Sequence, residues 1–260
     1  FEVCRMRGLP IFTFINKMDR PSREPLDLID ELEKVLGIRS TPMSWPIGSG
    51  SRFRGVYDIR DQSVLFFNTG GVANVRERLQ SRKFAGLDDP ELLKALGGPR
   101  NDLDEAKDLL ETLKAELELV QVAGDAFDTK QVLAGQLTPV YFGSAMNNFG
   151  VQNFLESFIQ NAPAPPARMI ETGDEVLPTS PHFSGFIFKI QANMDPAHRD
   201  RVAFMRVCSG HFERGMDVKH ARLNKTVRLS KPLQFFDQER VIVDEAWPGD
   251  VLGLLDTTGE

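Results

Sequence analysis

The chain is 260 residues long, 41% hydrophobic and 26% charged, which excludes wholesale disorder and leaves room for two domains with buried cores. No apolar run approaches the ~20 residues of a membrane helix, and the first seven residues, Phe1 to Arg7, have neither the charged start nor the apolar centre of a signal peptide. The net charge of −6 argues against a general nucleic-acid binder, yet residues 181–231 carry 10 Lys and Arg against 4 Asp and Glu, a basic segment inside an acidic chain.

Cys4 and Cys208 stand alone, without metal-type spacing, so free thiols in a reducing, cytoplasmic setting are expected. The sequence has no initiator Met and enters partway along a helix, which implies a piece of something longer. Leu9–Ile15 is a short apolar run rich in β-formers, predicting a strand buried on both faces as in a parallel sheet. It stops at Asn16-Lys17-Met18-Asp19. A helix follows, with Ser22 as its cap, Pro25 in its first turn and Gly37 just past its end; Leu26, Ile29, Leu32 and Val35 or Leu36 form its apolar face.

From about 40 to 135 the pattern is less regular. Strands and turns are expected over 41–67, including a tight turn at Gly48-Ser49-Gly50. A short helix opens at Asp89-Pro90, and a longer one runs over about 102–121 with Leu103, Ala106, Leu109, Leu110, Leu113 and Leu117 on one face. Val140-Tyr141-Phe142 reads as a second buried strand, ending at Gly143-Ser144-Ala145. Phe154, Leu155, Phe158 and Ile159 then mark another helix. The Pro-rich stretch 163–181 separates a first domain, 1–162, from an all-β segment, 182–260. In that segment five short strands are expected, over 184–190, 201–208, 216–223, 226–229 and 240–243. Turn residues punctuate them at short intervals, as in a small barrel.

Two strand-end motifs carry the chemistry. Ligands of open α/β sheets bind at the carboxyl ends of strands, where Asn16–Asp19 falls. The guanine edge offers two adjacent donors, N1–H and the N2 amine, and an ionised carboxylate accepts both, so Asp19 would choose the base. Lys17 would lay its aliphatic stem along the ring, while Asn16 ties the loop. At Ser144 and Ala145 the small residues allow close backbone approach, and the Ala145 N–H would donate to guanine O6. The bland alternative for either motif alone is a polar turn.

The pair resembles the fourth and fifth guanine-binding motifs of GTPases. The runs Phe12–Arg20, Leu137–Val151 and Phe183–Phe204 are similar to the peptide-chain release factor 3 family. Elongation factor G is the nearest rival. The resemblance covers essentially the whole chain and implies its fold class: part of an α/β P-loop GTPase domain with an inserted α+β subdomain, then an all-β translation-factor barrel. It further implies GTP or GDP as ligand, Mg²⁺ in the intact parent, and, as partners, the ribosome and stop-codon-reading release factors. The parent would be a GTPase that promotes removal of those factors in termination. The alternatives are an elongation factor G-like translocation GTPase, a non-catalytic ribosome-docking piece, or an unrelated α/β enzyme with a fortuitous N-K-x-D.

No G-x-x-x-x-G-K-[ST] occurs in these residues, so no catalytic residue is named and the 260-residue chain itself is expected to be inactive. His182, His198, His211 and His220 lack metal spacing and are expected at the surface. Phe235, Phe236 and Trp247 are expected to pack the barrel. By analogy with translation GTPases, basic residues such as Arg199, Arg201 and Arg206 are candidates for a small-subunit RNA contact.

Overall fold

The computed structural model describes residues 1–66, 82–84, 86–97, 102–192, 201–230, 232–236 and 239–256. The chain divides into two compact units, Phe1–Ala162 and Pro163–Glu260.

The first unit opens with a short helix α1 (Glu2–Met6), strand β1 (Thr13–Ile15) and helix α2 (Pro25–Leu36). Strands β2 (Arg39–Pro42), β3 (Ser44–Ile47), β4 (Gly55–Asp58), β5 (Ser63–Phe66) and β6 (Arg82–Phe84) follow. Then come helices α3 (Pro90–Leu96), α4 (Leu103–Ala123) and α5 (Thr129–Leu133), strand β7 (Leu137–Phe142) and helix α6 (Val151–Asn161).

A parallel three-stranded sheet in the order β1–β7–β2 sets Thr13 beside Val140, Ile15 beside Phe142 and Arg39 beside Leu137. Central β7 is buried along its whole length, whereas β1, expected to be buried on both faces, is only half-buried because it lies at the sheet edge. One of its faces is covered by α6: Phe12 meets Phe158 edge-on at 5.1 Å, and Phe14 meets Phe154 at 5.4 Å. Leu155 and Ile159 of α6, expected on its apolar side, are exposed.

Strand β2 has a polar sequence, Arg-Ser-Thr-Pro, which hides it from any reading of hydrophobic period. Its buried Ser40 is satisfied by α2: the Glu33 carboxylate accepts from the Ser40 amide at 2.8 Å and from its hydroxyl at 2.6 Å. The expected start of α2 is also revised. Glu24, not Ser22, occupies the N-cap without a side-chain bond, and the Pro25 that follows, preset for helix, fixes the start. Its inward residues are Leu28, Ile29 and Leu32, while Leu26 and Val35 face solvent.

An antiparallel sheet in the order β3–β4–β5–β6 and the helices α3 and α4 complete the unit. Helix α4 buries Ala106, Leu109, Leu113 and Leu117 at helical spacing, while Leu103 stays exposed. These residues join Met18, Trp45, Ile47, Phe53, Val140, Phe142 and Phe149 in one hydrophobic core.

In the second unit a small ladder pairs β8 (Arg168–Met169) with β9 (Glu175–Val176). The remaining strands are β10 (Ser184–Ala192), β11 (Arg201–Ser209), β12 (Phe212–Glu213), β13 (Asp217–His220) and β14 (Lys225–Arg228). They continue as β15 (Pro232–Phe236), β16 (Glu239–Ile242), β17 (Glu245–Ala246) and β18 (Val251–Asp256). An antiparallel sheet runs β10–β11–β18–β15–β16, with β12–β17 and β13–β14 as further ladders. Met205, Val207, Phe212, Leu229, Ala246 and Leu252 form its core.

Trp247 does not pack that core. It sits in a turn after β17, 56% exposed, stacked on His211 with ring centroids 4.1 Å apart. The Asp250 carboxylate accepts from the Trp247 amide at 2.8 Å and fixes the turn. The side chains of Phe235 and Phe236, together with His198 and Arg199, lie outside the described residues. Among the described residues no helix is long and apolar enough to cross a membrane.

Candidate nucleotide-base site

The two strand-end motifs come together because β1 and β7 are parallel neighbours, so their carboxyl ends lie side by side. The Gly143 amide donates to the Ile15 carbonyl at 3.0 Å, and the Met18 amide donates back to the Gly143 carbonyl at 3.0 Å. Asn16 then joins the loops directly. Its Oδ1 accepts from the Lys17 amide at 2.7 Å and from the Ala145 amide at 2.8 Å.

Lys17 adopts a left-handed backbone, φ 71°, in the tight turn closed by the Arg20 amide on the Lys17 carbonyl at 3.0 Å. That turn sends Met18 into the core, 1% exposed, and leaves Asn16 and Lys17 exposed and Asp19 half-buried. The Asp19 carboxylate has no hydrogen-bond or ion-pair partner among the described residues, so all its acceptor capacity is free for a ligand.

Gly143 is required by its surroundings. A Cβ there would stand 2.7 Å from the Phe14 ring and closer still to the Phe149 carbonyl oxygen. Ser144 shapes the loop rather than reaching outward. Its side chain is 1% exposed, its hydroxyl accepts from the Asn147 amide nitrogen at 3.0 Å, and its backbone exchanges two bonds with Phe149, at 3.0 and 2.8 Å. The Ala145 amide, expected from the sequence as the donor to guanine O6, donates to Asn16 Oδ1 in this structure.

Residues missed by sequence reasoning lie beneath these loops. The Gly50 amide donates to the Met18 carbonyl at 2.8 Å, and the Ser44 hydroxyl accepts from the Phe142 amide at 3.0 Å. Trp45, fully buried, packs edge-on against Phe142 at 5.4 Å and donates its indole N–H to Glu116 on α4 at 2.8 Å. Burial pushes the Glu116 carboxyl above its ordinary range, with the Trp45 bond opposing and the Glu24 charge adding to the rise. None of these contacts has a local sequence signature. Among the described residues no group of three or more His, Cys, Asp or Glu side chains is placed to hold a metal ion.

Of the basic candidates, Arg201 is exposed at the start of β11 and Arg206 is half-buried within it. The adjoining surface interleaves cations and aromatics: Arg168 lies over Phe186 at 5.7 Å and Lys189 over Phe204 at 5.9 Å.

Adjacent parallel strands ending in Asn16–Asp19 and Gly143–Ala145, followed by an antiparallel β unit, define a class. The chain belongs to the family of elongation factor Tu GTP-binding domains, whose model matches residues 1–164, and the elongation factor G domain 2 model matches residues 182–260. Its curated relatives include peptide chain release factor 3 of Symbiobacterium thermophilum, 51% identical over 98% of this chain and 46% of that protein. Peptide chain release factor 3 of Synechococcus elongatus is 54% identical over 98% of this chain and 43% of its own length. The resemblance to release factor 3 read from the sequence is borne out. The chain spans less than half the length of these relatives. A crystal structure from Thermus thermophilus, 21% identical, matches 100% of this chain and 36% of its own with a TM-score of 0.62, a likeness of fold.

Proposed function

We propose that this chain is the guanine-reading part and the barrel of a ribosome-dependent translational GTPase that promotes removal of stop-codon-reading release factors in termination. The observation that carries the reading is the meeting of Asn16–Asp19 with Ser144–Ala145 at the carboxyl end of the sheet, with the Asp19 carboxylate unpartnered among the described residues. Asp19 accepts from guanine N1–H and the N2 amine, which adenine cannot offer together. Lys17, exposed on a left-handed turn, lays its stem along the base. The Ala145 amide passes from Asn16 Oδ1 to guanine O6 when the base enters, and Asn16 keeps its bond to the Lys17 amide. Ser144 holds the shape of that loop.

The phosphate chemistry of such enzymes, in which Mg²⁺ would neutralise developing charge, is supplied by a Gly-rich loop with Lys and Ser or Thr. No residue of this chain is assigned to it, and the 260 residues alone are expected to show no GTP turnover. Robust Mg²⁺-dependent hydrolysis by this chain would overturn that assignment.

The base reading is tested by nucleotide competition on the full-length protein. Asp19→Asn weakens GDP and improves xanthosine diphosphate, whose 2-oxo group suits an amide donor. Equal competition by adenine nucleotides in the unmodified protein would refute it. For the barrel, we read the Arg201 and Arg206 surface, with Arg199 beside it in sequence, as a contact for ribosomal RNA of the small subunit. Binding to ribosomes should weaken with salt and with Arg201→Ala; binding indifferent to both would sink the contact.

A further inference from the structure

The loop Gly48–Phe53, between β3 and β4, looks at first like a plain tight turn. Gly48 and Gly50 both have positive φ, 73° and 59°, and a three-residue 3₁₀ turn at Gly50–Arg52 follows. Its contacts reach far beyond a hairpin. The Gly50 amide bonds the Met18 carbonyl at 2.8 Å, and a Cβ at Gly50 would lie 3.3 Å from the Pro21 nitrogen. The loop therefore lies directly against the backbone of the base-reading turn.

Met18 is consequently held on both sides. Its amide is bonded to Gly143 at 3.0 Å, its carbonyl to Gly50 at 2.8 Å, and its side chain is buried in the core with Ile47 and Phe53. Lys17 and Asp19 flank this fixed residue, so the position of the free Asp19 carboxylate is set by where Met18 is pinned. The loop is fixed in turn by α4. Arg52 pairs with Glu105 at 3.3 Å and with Asp108, while Arg54 lies 3.4 Å from Glu105 and donates to the Ser51 carbonyl at 2.7 Å. The same two acids raise the Arg52 pKa, with the Asp108 hydrogen bond the largest cause.

We infer that the Gly48–Phe53 loop is a specificity-positioning element of the base site: through the Gly50–Met18 bond, with Arg52 anchored on α4, it sets Asp19 where both guanine donors are read. This rests on the guanine reading above and adds to it a residue set about thirty positions downstream of the motif. Gly50 and Arg52 are positioning residues and touch no nucleotide themselves.

The test measures affinities of the full-length protein for GDP, inosine diphosphate and xanthosine diphosphate. Inosine lacks the N2 amine, so the GDP-to-inosine ratio reports the second bond to Asp19. A hydrogen bond to a charged acceptor carries about tenfold or more in affinity, so Gly50→Ala should lower that ratio about tenfold. Arg52→Gln, which leaves the backbone untouched, should lower it about two- to threefold, and Arg52→Lys should recover part of the loss. A change of ratio is what mere destabilisation would not produce. Asp19→Asn serves as the control on the base site. If it fails to move preference toward xanthosine diphosphate, the guanine reading itself is wrong. If it succeeds, yet Gly50→Ala and Arg52→Gln leave the ratio unchanged or weaken all three nucleotides equally, the positioning role is wrong. Should Gly50→Ala not fold, Arg52→Gln decides by the same two outcomes.

Discussion

Replacing Gly143 by Ala puts one methyl group at the junction of the two base-reading loops. That methyl would lie 2.7 Å from the Phe14 ring and nearer still to the Phe149 carbonyl oxygen. The Phe14 ring packs against Phe154 at 5.4 Å, and the Phe149 carbonyl accepts the Ser144 amide at 3.0 Å, so neither neighbour moves without loss. Overpacking of this kind costs about 1–3 kcal/mol, and breaking the Ser144 bond adds about 1 kcal/mol, giving about 2–4 kcal/mol in all. Urea unfolding followed by circular dichroism should show the lower midpoint with an unchanged slope. Because the strain falls at the end of β7, guanine nucleotide affinity of the full-length protein should drop as well. A Gly143→Ala protein with the parental midpoint would refute the steric argument.

Three further outcomes are expected. Asp102 caps α4, accepting from the amides of Asp104 at 3.2 Å and Glu105 at 3.0 Å, so Asp102→Ala should destabilise the first unit by about 1 kcal/mol in the same urea titration. Burial raises the Glu116 carboxyl, so the native state holds that proton more tightly than the unfolded chain; its contribution to stability falls as pH rises from the ordinary carboxylate range through the raised value. Glu116→Gln keeps an acceptor for Trp45 and should be the more stable protein near neutral pH, with the difference vanishing in acid, as read by denaturation in buffer below the ordinary carboxylate range and in neutral buffer. Phe212, fully buried in the second unit, should cost about 3–5 kcal/mol when changed to Ala, with near-ultraviolet dichroism reporting the loss.

The parts of the site legible in the sequence were those whose chemistry is local. Asn16–Asp19 and Gly143–Ala145 each follow an apolar strand, and parallel pairing of β1 with β7 brings them together. The parts that were not legible depend on distant partners. Strand β2 is polar because its buried Ser40 is satisfied by Glu33, and Gly50 looks like a turn residue until its bond to Met18 is seen. Met18 is apolar, but it stands alone among polar neighbours, so no hydrophobic period marks it as a core residue. In the second unit Gly253 interrupts the apolar run of β18 and β15 opens on Pro232, so neither carries a clear strand signal. The place of Trp247 is not legible because hydrophobicity says nothing about a ring held in a turn by Asp250.

The sequence contains only two tryptophans, and the fold puts one in each unit in opposite surroundings. Trp45 is sealed in the core against Phe142, whereas Trp247 is 56% exposed and stacked on the His211 imidazole. These 260 residues thus offer two intrinsic optical probes in contrasting surroundings. Emission from Trp45 is expected to be blue-shifted and out of reach of iodide, and emission from Trp247 red-shifted and open to iodide quenching. Melting of either unit of this chain should therefore be readable separately in one unlabelled sample, and Trp45, one aromatic contact from the end of β7, is placed to sense what happens at the base-reading loops.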